Sequence, residues 1–195
     1  MLGLVDSKKV VIVGIPGVGK TSLVTKLVEL ITQQSKTVSV HSFGTVMLEE
    51  AMKNGIKDRD ELRTLPIEKQ QELQKMAAED ISNMEDDVIL IDTHAFISTK
   101  SGFYPGLPNY VIQIIKPTNF IAITASPDEI HNRRMKDTTR NRDPVSIEDI
   151  KKELAVQDAM LSSCSVLSGS PMKVVFNHEG NVEDAAKAVL GAIGL

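Results

Sequence analysis

The chain contains very little cysteine: a single residue, Cys164, among 195. One cysteine excludes an intrachain disulfide framework and a zinc site built from several cysteines. No apolar run approaches the length that crosses a bilayer. The net charge of −4 argues against bulk electrostatic attraction to DNA or to an anionic membrane. We therefore expect a cytoplasmic protein with no zinc and with neither DNA nor a membrane as a partner.

The length and the pattern of apolar residues fit a single α/β domain. Short apolar runs indicate β-strands at 8–14, 37–41, 87–92, 118–124 and 172–176. Stretches with helical spacing lie between them, at about 20–34, 44–54, 66–84, 109–115, 127–136, 146–167 and 182–193. This alternation predicts a parallel sheet covered by helices on both faces, with ligands bound beyond the carboxyl ends of the strands. Loops are expected at 100–108 and 136–144.

The most informative segment is a glycine-rich stretch between the first predicted strand and the first predicted helix. Gly14, Gly19, Lys20 and Thr21 have the spacing of the phosphate-binding loop, or P-loop, G-x-x-x-x-G-K-[ST]. Glycines let backbone N–H groups approach phosphate oxygens, Lys20 can reach the β- and γ-phosphates, and the Thr21 hydroxyl can ligate Mg²⁺. The residues expected to bind the nucleoside triphosphate are Gly14, Ile15, Pro16, Gly17, Val18, Gly19, Lys20, Thr21 and Ser22.

A carboxylate at the end of another predicted strand points to magnesium. The apolar run 88–91 ends in Asp92, and an aspartate in that place can hold the hydration shell of Mg²⁺ in P-loop enzymes. The alternative is an aspartate that only caps the next turn. The presence of a P-loop in the same chain favours Asp92 as a magnesium residue that acts through water.

The motifs of signalling GTPases are missing. Asp92 is followed by Thr93, His94 and Ala95, with no glycine at the switch position. The last predicted strand leads into Asn-His-Glu at 177–179, which lacks the lysine and aspartate of a guanine-reading motif. Of the classes of P-loop protein considered, a small kinase and an ATPase remain.

Four arginines lie in and just before the polar stretch at 136–144: Arg133, Arg134, Arg140 and Arg142. Guanidinium groups bind phosphate oxygens bidentately, and they stabilise the charge of a transferring phosphoryl group. This cluster predicts a lid that closes over the triphosphate. The alternative is a solvated helix end with acidic surface partners.

A second pair of arginines could serve an acceptor nucleotide. Arg59 and Arg63 are four residues apart, so on a helix they share a face, and one of them could hold an acceptor phosphate. Charged helices with this spacing are usually only solvated.

Taken together, these residues resemble the archaeal-type adenylate kinases, a short-lid branch of the nucleoside monophosphate kinases. The resemblance covers nearly the whole chain, with matching blocks at 14–21, 43–47, 58–63, 91–94, 102–108 and 137–143. Two blocks are specific to the branch: Gly-Phe-Tyr-Pro-Gly-Leu-Pro at 102–108 and Asp-Thr-Thr-Arg-Asn-Arg-Asp at 137–143.

The resemblance implies a three-layer α/β/α P-loop kinase fold, with a helical AMP-binding region at about 42–85 and a lid at about 136–145. It implies that MgATP and AMP react to give two ADP in a homotrimeric enzyme. The residues it implies for AMP binding are Gly44, Thr45, Arg63 and Gly106, and those for catalysis are Lys20, Arg134, Arg140 and Arg142. A eukaryotic relative with a similar P-loop and short lid is the alternative: an ATPase that acts in ribosome assembly through a protein partner.

Overall fold

The structure, a computed structural model, describes residues 7–99, 102–137 and 145–195. Its strands are β1 (Lys8–Val13), β2 (Val38–Ser42), β3 (Val88–Thr93), β4 (Phe96–Thr99), β5 (Gly102–Pro105), β6 (Asn119–Thr124) and β7 (Met172–Phe176). The five predicted strands are confirmed as a parallel sheet in the order β2-β3-β1-β6-β7. Because β1 is central, the glycine-rich segment that follows it lies between the carboxyl ends of β3 and β6.

Helices occupy every predicted interval between the strands. They are α1 (Lys20–Gln33), α2 (Phe43–Lys53), α3 (Arg59–Thr64), α4 (Ile67–Ser82), α5 (Asn109–Ile115), α6 (Pro127–Lys136), α7 (Ile147–Ser168) and α8 (Val182–Ile193). The short helix α3 is the one that carries both Arg59 and Arg63. Asp58 begins it, because its side chain accepts hydrogen bonds from the N–H groups of residues 60 and 61.

The expected loop at 100–108 is wrong over residues 102–105. Strands β4 and β5 pair in an antiparallel hairpin, which is closed by an edge-to-face contact between Phe96 and Phe103. The segment 100–108 has two glycines and two prolines, which suggested a loop. Its two adjacent aromatic residues, Phe103 and Tyr104, are of the type that strands favour. The hairpin leaves the end of β3 and returns to the sheet edge at Gly106.

The core lies on both faces of the sheet, because successive strand residues point to opposite sides. In β1, Val11 and Val13 pack with α2, α4, α5 and α7, and Val10 and Ile12 pack with α1 and α8. This is the layered arrangement that the alternating sequence predicts. In the part of the chain that the structure describes, no helix is long and apolar enough to cross a membrane.

A core substitution checks this layering. Ile89 in β3 is fully buried, so Ile89→Ala should lower the free energy of unfolding by about 3 kcal/mol, from lost burial and the cavity left behind. Ile67, at the start of α4, is 61% exposed, and Ile67→Ala should change it by less than about 0.5 kcal/mol. Urea unfolding of both variants measures this. Equal losses would contradict the assignment of β3 to the core.

Candidate active site

A cavity of about 680 Å³ lies over the carboxyl edge of the sheet. Its walls come mainly from the P-loop, the start of α2, the end of β3 with the turn after it, and the end of α6. Single residues of α3, α4, β4 and the segment after β5 complete it. The residues that line it are Gly14, Ile15, Pro16, Gly17, Gly19, Lys20, Thr21, Ser22, Ser42, Phe43, Gly44, Met47, Arg59, Gln74, Asp92, Thr93, His94, Ile97, Gly106, Arg133 and Asp137.

The structure brings the predicted phosphate-binding residues together on one wall. Eight of the nine, from Gly14 to Ser22, line the cavity. The ninth, Val18, points into the core and is 1% exposed, while its N–H closes a turn onto the Ile15 carbonyl at 3.4 Å. Helix α1 begins at Lys20, so its N-terminus and its free N–H groups face the cavity, as anion binding requires.

Lys20 and Asp92 meet at the floor of the cavity. The Lys20 ammonium lies 2.6 Å from Asp92 Oδ1 and donates a hydrogen bond to the Thr93 carbonyl at 2.7 Å. The lysine side chain is only 13% exposed, so its charge is held close to the place where a phosphate would enter. Phosphate oxygens would compete with Asp92 for this ammonium group, because each is an anionic acceptor.

The predicted magnesium residues suit that ion chemically. Thr21 and Asp92 both line the cavity, and hydroxyl and carboxylate oxygens are the ligands that Mg²⁺ prefers. Among residues 7–99, 102–137 and 145–195, no group of three or more histidine, cysteine, aspartate or glutamate side chains is arranged around a metal position. A magnesium ion in a phosphoryl-transfer enzyme takes much of its coordination from phosphates and water, so such a cluster is not required.

Part of the expected acceptor site also lines the cavity. Gly44, in the first turn of α2, lines the cavity, and so does Gly106. The place of Gly106 demands a glycine, because an added Cβ would lie 1.9 Å from the His94 carbonyl oxygen. Thr45 does not line the cavity, but its hydroxyl accepts a hydrogen bond from Arg59 at 2.9 Å.

The two arginines of α3 are placed differently. Arg59 lines the cavity. Arg63 does not; its side chain is 73% exposed and pairs with Asp60 at 3.1 Å. Helical spacing puts both on one side of α3 but does not decide which reaches the site. The structure thus places Arg59 at the cavity, and the contact expected between Arg63 and AMP stays a prediction.

The two arginines at the end of α6 also differ from each other in whether they reach the cavity. Arg133 lines the cavity. Arg134 lies behind the P-loop, where its Nε donates to the Pro16 carbonyl at 2.8 Å and its Nη2 pairs with Glu153 at 2.6 Å. The expected phosphate contact of Arg134 therefore stays a prediction. Arg140 and Arg142 lie outside the described residues.

Sequence reasoning missed a polar network that joins α6 to the segment after β7. Glu129 is the third residue of α6 and forms a reciprocal capping box with Ser126. It also accepts a hydrogen bond from the Glu179 N–H at 3.0 Å and lies 3.3 Å from the His178 ring. These bonds, first that from Glu179 and next that from Ser126, hold the pKa of Glu129 at about 2, below its usual 4.5. The serine and glutamate of the capping box were the only signal in the sequence.

Comparison with known proteins agrees with this arrangement. The family described as an AAA domain matches residues 13–151. An adenylate kinase of Methanocaldococcus jannaschii is 37% identical over 186 residues, covering 94% of this chain and 97% of that protein. An adenylate kinase of Sulfurisphaera tokodaii is 40% identical over 191 residues, with coverage of 94% and 97%. The chain belongs to the adenylate kinase family.

Solved structures show the fold alone. A shikimate kinase from Bacteroides thetaiotaomicron superimposes with a TM-score of 0.59 at 12% identity, covering 96% of this chain and 99% of that one. A shikimate kinase from Acinetobacter baumannii in complex with shikimate gives a TM-score of 0.52 at 13% identity, with coverage of 96% and 94%. The sheet and helices are therefore those of a P-loop kinase.

The Glu129 network predicts a pH dependence of stability. The folded protein holds the pKa of Glu129 below its unfolded value, so the carboxylate stabilises the fold above about pH 5 and loses this effect as the pH falls towards 2. Glu129→Gln should lower the free energy of unfolding by about 2 kcal/mol near pH 7, allowing for the solvent that reaches this group.

The measurement is urea unfolding between pH 3 and pH 7, with Glu85→Gln as a control that removes one exposed loop carboxylate. The difference in the free energy of unfolding between the wild type and Glu129→Gln should shrink as the pH falls. A gap that is constant with pH would show that Glu129 is not held ionised by these bonds.

Proposed function

We propose that this protein catalyses reversible transfer of the γ-phosphoryl group of MgATP to AMP, giving two ADP, in adenine nucleotide homeostasis. Membership of the adenylate kinase family supports the reaction. The observation that carries the proposal is one cavity that is lined both by the P-loop and by Gly44, Arg59 and Gly106. A donor at the P-loop would meet an acceptor at these residues without either leaving the cavity.

The chemistry needs position and charge rather than a side-chain base. An oxygen of the AMP phosphate, already ionised at neutral pH, forms a bond to the γ-phosphorus of ATP. The bond from that phosphorus to the β–γ bridging oxygen breaks, and its electrons remain on the β-phosphate of the departing ADP. Lys20 on the donor side and Arg133 at the end of α6 supply positive charge beside the transferring group.

Mg²⁺, when bound, would supply positive charge beside the phosphates. Thr21 would hold it directly and Asp92 through water. Lys20 would exchange Asp92 for phosphate oxygens when ATP binds, which releases the carboxylate that it now pairs with at 2.6 Å.

Closure over the substrates is assigned to the segment at about 136–145, which carries Arg140 and Arg142. This short lid is part of the archaeal-type pattern, and the helical region at about 42–85 would move with AMP. Guanidinium groups that replace water over the γ-phosphate would favour transfer to AMP and suppress hydrolysis. In this proposal Arg134 also reaches phosphate once the lid closes.

The homotrimer is inferred from the same resemblance, and the cytoplasmic setting from the lone cysteine and the lack of a long apolar run. We place the enzyme in the cytoplasm, as a homotrimer. Sedimentation equilibrium would test the assembly. A mass of one chain at micromolar concentration would contradict it.

Turnover tests the reaction itself. ATP consumption should depend on AMP, with two ADP formed for each AMP used, because the AMP phosphate is the nucleophile. Chromatography of nucleotides from reactions with and without AMP measures this. Equal rates with and without AMP would contradict the kinase and favour an ATPase that acts through a protein partner.

Lys20→Ala should lower kcat by about 100-fold or more, because it removes the ammonium group beside the phosphates. Lys26→Ala is the control: it lies on the same helix, α1, but pairs at the surface with Glu29 and Glu183. The thermal midpoint of both variants should be measured with kcat, so that loss of fold is separated from loss of chemistry.

The two arginines of α3 give a matched pair for the acceptor site. Arg59→Ala should raise the KM for AMP by about tenfold, from loss of a charge-assisted bond to phosphate, with little change in the KM for ATP. Arg63→Ala should have a smaller effect if AMP meets the arrangement that the structure describes. The reverse order would show that Arg63, as the resemblance implies, turns into the site when AMP binds.

A further inference from the structure

The outer face of the P-loop, which is turned away from the cavity, is held by a buried asparagine from the far end of the chain. Asn177 directly follows β7 and is 4% exposed. Its side-chain Nδ2 donates to the Val18 carbonyl at 2.9 Å and to the Gly19 carbonyl at 3.3 Å. Arg134 makes a similar bond to the Pro16 carbonyl. Carbonyl groups of the loop are thus satisfied on its outer side.

These bonds help to set where the N–H groups of the loop point, together with the bond that the Gly19 carbonyl accepts from the Leu23 N–H at 3.2 Å. In a trans peptide, the carbonyl of one residue and the N–H of the next point in opposite directions. Drawing the Val18 and Gly19 carbonyls outwards therefore turns the N–H groups of Gly19 and Lys20 inwards. Both residues line the cavity, whereas Val18 does not. Two adjacent N–H groups aimed into a cavity form a binding site for an anion.

The last glycine of the motif fits this asparagine. Gly19 has a φ of 81°, and a Cβ on it would lie 2.4 Å from Asn177 Nδ2. The absence of a side chain at Gly19 thus has two consequences. It permits the left-handed backbone that ends the turn, and it leaves room for the amide that holds the carbonyls.

The backbone of Asn177 is itself held by two hydrogen bonds. Its N–H donates to the Thr124 carbonyl at the end of β6 at 2.8 Å. Its own carbonyl accepts a hydrogen bond from Arg133 Nη2 at 3.0 Å. Because β6 and α6 both belong to the rigid layers of the fold, the amide has little freedom to turn away from the P-loop.

We propose that Asn177 is a positioning residue that presets the Gly19 and Lys20 N–H groups for the phosphates of the donor nucleotide. This inference rests on the proposed function, since it assumes that the P-loop holds ATP. It assigns Asn177 no contact with the nucleotide. Its effect on phosphate affinity passes through two peptide groups of the loop.

The test substitutes Asn177→Asp, which keeps the size of the side chain and replaces its donor with a carboxylate oxygen facing two carbonyls. Affinity for ATP should fall by about tenfold or more, because two hydrogen bonds are lost and the loop relaxes. Affinity for adenosine, which has no phosphates, should change by less than about twofold. Calorimetry with each compound, below the thermal midpoint of the variant, gives both values.

Asn181→Asp is the matched control, since it makes the same change of charge at an exposed position of the same segment. It should leave the affinity for ATP unaltered. If Asn177→Asp does not fold, Asn177→Ser replaces it. The serine hydroxyl can donate to one carbonyl only, and affinity for ATP should again fall while that for adenosine holds.

Two results would overturn the inference. One is a folded Asn177 variant that binds ATP as tightly as the wild type does. The other is an equal loss for ATP and adenosine, which would mean that Asn177 acts on the base. A wild-type protein that fails to bind ATP would instead overturn the proposed function, and that outcome is visible before any variant is made.

Discussion

Holding phosphates in an acidic protein is the constraint on which the rest of this structure depends. The chain has a net charge of −4, so its overall field does not attract nucleotides. Attraction must come from donors fixed within a few ångströms of the phosphates. The P-loop supplies oriented N–H groups and the start of a helix, Lys20 supplies a mostly buried ammonium, and Arg59 and Arg133 supply guanidinium groups at the other walls of the cavity.

The fold exists to keep those donors in place. A turn of this kind is flexible in isolation, because glycines lose more conformational entropy on ordering than other residues do. In this protein it is anchored at one end by the central strand and at the other by α1, and its outer carbonyls are held by Asn177 and Arg134. The Glu129 network then ties the segment that carries Asn177 back to α6. Because the outer carbonyls of the loop are held in place, its inner N–H groups are already oriented for phosphate, which raises the affinity for the nucleotide.

Local patterns in the sequence predicted the sheet, the helices and the P-loop, because each depends on residues close together in the chain. The hairpin at 96–105 was missed, since the glycines and prolines of 100–108 are typical of loops and its two short strands show no alternation of apolar and polar residues. The choice between Arg59 and Arg63 also lay beyond the sequence. Spacing fixes the side of a helix, but only packing decides which residue on that side reaches a cavity.

The contacts of Asn177 and Arg134 with the P-loop could not be inferred from local patterns for a different reason. Asn177 contacts residues more than 150 positions away in the chain, and nothing near it marks it as part of a phosphate site. Arg134 was predicted on the lid because four arginines cluster there; the structure pairs it with Glu153, and its contact with phosphate stays a prediction. Side chains that act through the backbone of another segment leave no motif of their own.

The central claim is that one cavity holds donor and acceptor together, and a bisubstrate compound tests it most directly. Two adenosines joined by a chain of five phosphates carry both bases and span both phosphate sites. Calorimetric titration should give one molecule bound per chain, and the bound compound should exclude ATP and AMP alike. A protein that binds this compound yet still takes up AMP with undiminished affinity would place the acceptor outside the cavity, and that result would contradict the claim.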